Sequence, residues 1–184
     1  MSGFLFAFLA TLLAGFGARD QALLSQLTAR QGRRPLLLLT TLVATIGTTV
    51  FAVWIAQRLI GTMAPPARMM FAAFALLLGG TEMLLLGPRK PIVEPTNSLF
   101  AALLVVGAVQ ITDAVRFLIV ALGVATAAPV PAGLGGGLGN AAALIAGWAM
   151  PGLAQAAGWR AARRIAGAAL LLIGLAIGAR PFIA

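Results

Sequence analysis

Few groups in this sequence could bind a metal or transfer a proton. Its 184 residues contain four acidic side chains, Asp20, Glu82, Glu94 and Asp113, and no histidine, cysteine or tyrosine. Without histidine and cysteine, the common zinc, haem and iron–sulfur ligand sets cannot form, and neither can Ser-His or Cys-His nucleophilic pairs. We therefore expect no enzymatic activity and no bound cofactor, and the carboxylates remain as the groups that could handle protons or cations.

The composition indicates a membrane protein. Apolar residues make up 61% of the sequence and charged residues 9%, with a mean hydropathy of +1.03. Soluble domains contain only about 45–50% apolar residues, even when glycine is included. A soluble domain of this size cannot bury so much apolar side chain, because its surface is too large relative to its volume. The expected partner is a lipid bilayer, and the net charge of +9 is not expected to reflect nucleic-acid binding.

Charges and prolines divide the apolar sequence into six segments, each long enough for a transmembrane helix of about 20 residues. The segments run from about 4 to 29 (interrupted at Arg19-Asp20-Gln21), 36 to 57, 67 to 86, 97 to 126 (interrupted at Asp113 and Arg116), 132 to 157 and 161 to 179. The prediction is an all-α, polytopic membrane protein with six transmembrane helices, forming a single membrane domain over residues 1–184.

Basic residues are concentrated in alternate loops, which predicts the orientation because Lys and Arg are retained on the cytoplasmic side. One side carries Arg30, Arg33, Arg34, Arg89, Lys90, Arg160, Arg163 and Arg164. The other side carries Arg58, Arg68 and Arg180. Both termini are therefore expected outside the cytoplasm, with the basic loops inside it, and the bacterial inner membrane is the expected location.

The two halves of the chain resemble each other. Trp54 and Trp148 lie 94 positions apart, and residues 75–80 match residues 169–174 at the same offset. The polar interruptions of segments one and four also correspond. Because each half has an odd number of helices, the second must be inverted relative to the first. Inverted repeats with interrupted helices are typical of secondary transporters, so we predict two inverted three-helix repeats, residues 1–88 and 96–184.

The interruption in the first half carries a recognisable motif, Gly15-Phe16-Gly17-Ala18-Arg19-Asp20-Gln21. It resembles the Glu-x-Gly-Asp-(Lys/Arg)-(Thr/Ser)-Gln motif of the Gdt-type cation transporters, a family related to Golgi manganese/calcium–proton exchangers and to bacterial manganese exporters. Gly17, Arg19 and Gln21 match that motif, whereas Gly15 and Ala18 stand at the positions of its Glu and Asp. The resemblance covers essentially the whole chain and implies two inverted three-helix repeats.

The corresponding motif in the second half, Gln110-Ile111-Thr112-Asp113, keeps only the Asp, at Asp113, and has Gln110 at the Glu position. The resemblance implies a secondary transporter that exchanges a divalent cation, manganese or calcium, against protons. Its implied metal ligands are Asp113, Gln110, Asp20 and Gln21. Such hard cations prefer oxygen-rich sites, yet the four carboxylates of the family motifs are reduced here to Asp113 and an off-register Asp20.

Other interpretations of the same residues stay open. Asp113 could form a structural pair with Arg116 three residues later, and segment one could end at Ala18, which would place Asp20 at the membrane interface. A six-helix exporter of another small solute, such as an amino acid, would have the same overall pattern, and so would a family member that transports nothing. The threonines of segment two and the glycines of segment five favour helix packing, with Asn140 and the threonines as an alternative ion path.

Overall fold

A computed structural model describes residues 2–85, 98–152 and 157–183, all of which fold into helices and connecting turns without a strand. The eight helices are α1 (Ser2–Gly15), α2 (Arg19–Gln31), α3 (Pro35–Thr62), α4 (Pro65–Leu85), α5 (Leu99–Ile111), α6 (Ala114–Ala125), α7 (Pro129–Ala149) and α8 (Ala157–Ile183). The predicted all-α class is confirmed for the described residues. The predicted junction between the repeats, residues 89–95 with Glu94, lies outside them.

Helix length and composition fit a polytopic membrane protein. Four helices are long and apolar enough to cross a membrane: α3, α4, α7 and the part of α8 from Ala161 to Ala179. Two further spans result if each bent pair, α1 with α2 and α5 with α6, is counted as one, which makes six. Large apolar side chains such as Ile46, Leu78 and Leu172 point outward and are more than half exposed, as expected for a surface in contact with lipid.

Both bent pairs break where the sequence predicted polar interruptions. The first pair bends by 51° and the second by 52°. In the first, α1 ends at Gly15 and Gly17 adopts a positive φ of 71°, a conformation that glycine reaches without steric penalty. In the second, α5 ends at Ile111 and Asp113 is the extended residue before α6. Each break therefore brings the C-terminal end of one short helix next to the N-terminal end of the following helix.

The helix boundaries near prolines differ from the prediction. Segment three was expected to begin after Pro66 and segment five after Pro131, but α4 begins at Pro65 and α7 at Pro129. Proline is well tolerated in the first turn of a helix, because its missing N–H would have no intrahelical acceptor there. These prolines therefore start helices, and α7 ends at Ala149, eight residues before the predicted limit.

The order of elements is the same in both halves: a broken span followed by two continuous helices. Part of the packing also corresponds, since α1 lies against α7 and α5 lies against α3, while α4 packs on α8. The contact of α4 with α6 has no comparable counterpart between α8 and α2 among the described residues. The α1–α7 contact is very close. A Cβ on Gly139 would lie 2.5 Å from the carbonyl oxygen of Phe8, so the glycines of α7 serve packing here. The inverted relation of the two halves stays a prediction.

Candidate functional site

Asp20 lies at the meeting point of three helices. It is the second residue of α2 and is completely buried. Its Oδ2 accepts hydrogen bonds from Gln110 Nε2 of α5 and from Asn140 Nδ2 of α7, both at 3.1 Å, while its Oδ1 accepts from the backbone N–H of Gln21 at 2.8 Å. The carboxylate thus ties the first helix break to the C-terminal end of α5.

Gln110 extends the network toward α3. Its Nε2 also donates to Thr45 Oγ1 at 2.9 Å, and its Oε1 lies 3.1 Å from the Thr48 hydroxyl. Arg116 Nε then donates to Thr48 Oγ1 at 2.8 Å. A continuous chain of buried polar groups therefore runs from Asp20 through Gln110 and Thr48 to Arg116, so Thr45 and Thr48 contribute hydroxyl groups to the site as well as packing.

The side chain of Gln21 bonds to backbone groups and not to the other predicted ligands. Its Oε1 accepts from the Gly17 backbone N–H at 2.5 Å, and its Nε2 donates to the Ala143 carbonyl at 2.6 Å. Ser25, one turn later, donates to the Gly147 carbonyl at 3.1 Å. Both ends of the Gln21 amide are engaged with backbone, so this side chain fixes the turn of the first break against α7.

Asp113 and Arg116 lie at the second break, and some of their charged side-chain atoms lack a hydrogen-bond partner among the described residues. Asp113 is 2% exposed and Arg116 is 4% exposed. Asp113 Oδ2 and both Nη atoms of Arg116 have no hydrogen-bond partner among the described residues. The alternative of an Asp113–Arg116 pair is not formed at contact distance. The ion pair found within residues 2–85, 98–152 and 157–183 joins Arg19 to Glu82. The Arg116 side chain bonds instead through its Nε to Thr48 of α3.

Two further charged residues contact the helix breaks: Glu82 of α4 and Arg163 of α8. The Glu82 carboxylate lies 2.9 Å from Arg19 Nη2 and accepts from the Ala114 backbone N–H at 3.2 Å. A carboxylate at a helix N-terminus is stabilised by the exposed N–H groups and the helix dipole. Arg163 Nη1 donates to the Phe16 carbonyl at 3.1 Å, just beyond the end of α1.

These contacts place three acids and three bases around the breaks, so the formal charge of the cluster is balanced. The acids are Asp20, Glu82 and Asp113, and the bases are Arg19, Arg116 and Arg163. Asp113 interacts electrostatically with both other acids and with Arg116 and Arg163. A buried cluster of this kind can bind a charged ligand only by rearranging its internal pairs or by moving a proton.

Of the four predicted ligands, the side chains of Asp20 and Gln110 bond to each other, whereas Gln21 contacts Asp20 only through its backbone N–H. Asp113 lies at the second break. The structure adds Asn140, whose Oδ1 has no hydrogen-bond partner among the described residues. The same residues contain no group of three acidic, histidine or cysteine side chains able to hold a metal. A divalent cation would therefore depend on two carboxylates plus amide, hydroxyl, backbone and water oxygens.

The roles of Glu82 and Arg163 had no signal in the sequence. Glu82 stands near a helix end, and Arg163 belongs to the basic loop that predicted the orientation. Their contacts with α6 and α1 depend on how α4 and α8 pack, which the local sequence pattern does not encode.

Comparisons with protein-family models, curated proteins and solved structures found no match to this chain.

Proposed function

We propose that this protein is a secondary transporter of divalent metal cations, manganese or calcium, that exchanges them against protons and performs no enzymatic reaction. The observation that supports it most is the position of Asp20: a fully buried carboxylate at one helix break, bonded to Gln110 beside the other break and to Asn140 of α7. Ionisable groups within membrane-spanning segments are costly and mark transport pathways or internal pairs.

The repeated architecture supports transport. In many secondary transporters, broken helices at corresponding positions of two inverted repeats form the substrate site near the middle of the bilayer. Here α1 has 14 residues and α5 has 13, so each break lies about 20 Å along its span at 1.5 Å per residue. The corresponding contacts of α1 with α7 and of α5 with α3 are those expected for two halves related by an inverted repeat.

The oxygen atoms near the helix breaks are ligands of the kind that a hard cation prefers. Asp113 Oδ2 and Asn140 Oδ1 are buried acceptors without a hydrogen-bond partner among the described residues, and Asp20 is adjacent to Asn140. Carboxylate and neutral oxygens favour calcium, magnesium and manganese over metals that prefer nitrogen or sulfur. Binding requires the Gln110 amide to turn, because its Nε2 now faces Asp20.

The balanced charge of the cluster supports exchange against protons. A divalent cation adds two positive charges to a group that already contains Arg19, Arg116 and Arg163. A carboxylate that holds either a proton or the cation, but not both, couples the two movements. Asp113 is placed for this role because one of its oxygens has no partner among the described residues.

The membrane orientation is part of the proposal. Arg30, Arg33 and Arg34 are exposed around the turn between α2 and α3, and Arg164 is exposed near the start of α8. By the charge rule we propose that these ends face the cytoplasm and that both termini lie outside it. The proposed location is the inner membrane of a bacterium. The oligomeric state is left open.

A solute panel tests the proposal. The purified protein is reconstituted into liposomes, a pH gradient is imposed, and uptake of manganese, calcium, magnesium and a set of radiolabelled amino acids is measured against protein-free liposomes. We expect manganese or calcium to accumulate only when the gradient is present. Uptake of an amino acid with no movement of any divalent cation would replace this proposal by the exporter alternative, and no movement of any solute would contradict transport.

A further inference from the structure

The carboxylate of Glu82 in α4 contacts both helix breaks. Its Oε1 lies 2.9 Å from Arg19 Nη2 at the first break. Its Oε2 accepts a hydrogen bond from the backbone N–H of Ala114 at 3.2 Å, in the first turn of α6. The Glu82 side chain is 12% exposed, so both contacts are largely shielded from water. One carboxylate of a continuous helix therefore joins the two breaks, although α4 belongs to neither bent pair.

The ion pair with Glu82 neutralises the positive charge that directly precedes Asp20 in the chain. The Asp20 carboxylate itself is bonded by neutral groups: the side-chain amides of Gln110 and Asn140 and the backbone N–H of the next residue. A cation bound by Asp20 would be repelled by an unpaired Arg19, because buried charges act over several ångströms with little screening. Pairing with Glu82 reduces that repulsion and leaves the Asp20 charge for a cation.

The contact with Ala114 has a comparable consequence for Asp113. Asp113 is the N-cap residue of α6, where an aspartate ordinarily accepts a hydrogen bond from an N–H of the first turn. Here its side chain makes no such bond. Glu82 supplies a carboxylate oxygen to this turn from another helix, and the helix dipole favours a negative charge at this end. The Asp113 carboxylate is therefore not used as a helix cap.

We propose that Glu82 is a positioning residue for the cation site. It neutralises Arg19 beside Asp20 and takes the place of Asp113 at the start of α6, so that both acids can bind the cation. This inference rests on the proposed cation transport and assigns a role to an acid outside the proposed ligand set. Glu82 acts through Arg19 and the first turn of α6, without touching the cation.

Two other roles for Glu82 lead to different outcomes. As a direct ligand, it would be needed whatever side chain stands at position 19. The described residues contain no group of three acidic, histidine or cysteine side chains able to hold a metal, which argues against that role. As a purely structural ion pair, it would lose its function with either partner. The positioning role alone predicts that removal of Arg19 restores what removal of the Glu82 charge costs.

Manganese uptake into proteoliposomes tests this role through a carboxyl-to-amide change. Glu82→Gln keeps an oxygen that can accept from Ala114 and removes the charge, so it isolates the pairing with Arg19. We expect the half-saturating manganese concentration to rise about tenfold, because an unneutralised charge beside Asp20 opposes the cation. The maximal rate should stay close to that of the wild type, and the matched control Glu94→Gln should leave both values unchanged.

The outcomes separate this inference from the transport proposal. An unchanged half-saturating concentration in Glu82→Gln, with normal wild-type uptake, would overturn the role of Glu82 alone. Absence of uptake by the wild type would contradict cation transport and this inference with it.

The double variant Arg19→Gln/Glu82→Gln distinguishes positioning from the other two roles. We expect it to recover most of the affinity lost in Glu82→Gln, because the unpaired charge beside Asp20 is gone. A loss as large as that of Glu82→Gln, with thermal unfolding like that of the wild type, would assign Glu82 to direct ligation and overturn the inference.

A further comparison tests the contact with α6 and remains informative if Glu82→Gln folds poorly, because neither variant contains an unpaired Arg19. Arg19→Gln/Glu82→Met lacks the acceptor for the Ala114 N–H that Arg19→Gln/Glu82→Gln retains. By calorimetric titration in nanodiscs, we expect the Met variant to bind manganese about fivefold more weakly, the loss that corresponds to one helix-cap hydrogen bond, because Asp113 then caps α6. Equal manganese affinities would contradict the role of Glu82 at this helix end.

Discussion

Replacing Asp113 by Asn is expected to reduce manganese uptake to the level of protein-free liposomes. The substitution keeps the size of the side chain and removes its negative charge at the second helix break, where Oδ2 has no hydrogen-bond partner among the described residues. An amide cannot alternate between binding a proton and binding a cation, so coupling is lost together with one anionic ligand. Initial rates of pH-driven manganese uptake in proteoliposomes measure the effect.

Glu94→Gln provides the matched control for this carboxyl-to-amide change. Glu94 lies outside the described residues, in the segment predicted to connect the two repeats, and its charge is not expected to be needed for transport. Size-exclusion profiles and thermal unfolding of Asp113→Asn should match those of the wild type. Normal uptake by a well-folded Asp113→Asn variant would remove Asp113 from the proposed cation site, and equal loss in Glu94→Gln would point to a general effect of net charge.

Replacing Asp20 by Ala is expected to lower the free energy of unfolding by about 3–5 kcal/mol, a magnitude typical for removal of one partner from a buried charged network. The change leaves the Asn140 amide and the Gln21 N–H without this acceptor, and Gln110 Nε2 keeps only Thr45. Each buried donor left unpaired costs about 1–3 kcal/mol. Chemical or thermal unfolding of the detergent-solubilised protein measures the loss.

A double-mutant cycle makes the Asp20 prediction specific. We compare Asp20→Ala, Asn140→Ala and the double variant, because Asn140 Nδ2 donates directly to Asp20 Oδ2 at 3.1 Å. Residues in one hydrogen-bond network show interaction energies of about 0.5–3 kcal/mol, so the double variant should be less destabilised than the sum of the single variants. Strict additivity would indicate that the contact contributes nothing to folding.

The positions of the helix breaks could be predicted from sequence because polar residues interrupt otherwise apolar spans. Arg19 and Asp113 stand next to the observed breaks, and the chain can leave the helical conformation there only where side chains or other helices satisfy the freed backbone groups. The helix starts at Pro65 and Pro129 were misjudged because proline was taken as a boundary to exclude from the helix, although the first turn accepts it.

The partners within the site could be predicted only in part. Asn140 and the threonines of α3 were recognised as alternatives to pure packing, but the meeting of Asn140 with Asp20 depends on the close approach of α7, 120 residues away in the chain. The engagement of Gln21 by backbone groups likewise depends on Ala143 of α7. Tertiary packing, which a linear pattern does not contain, decides which polar atoms are satisfied and which remain available to a ligand.

The most direct measurement of the central claim is the pH inside proteoliposomes during cation entry. Liposomes carrying the wild-type protein and a lumenal pH-sensitive dye are prepared without a pH gradient, and manganese is added outside at constant membrane potential. Exchange against protons predicts that the lumen becomes more alkaline as manganese enters, and that Asp113→Asn liposomes behave like protein-free ones. Manganese entry at an unchanged lumenal pH, or an equal pH change in Asp113→Asn, would contradict the account.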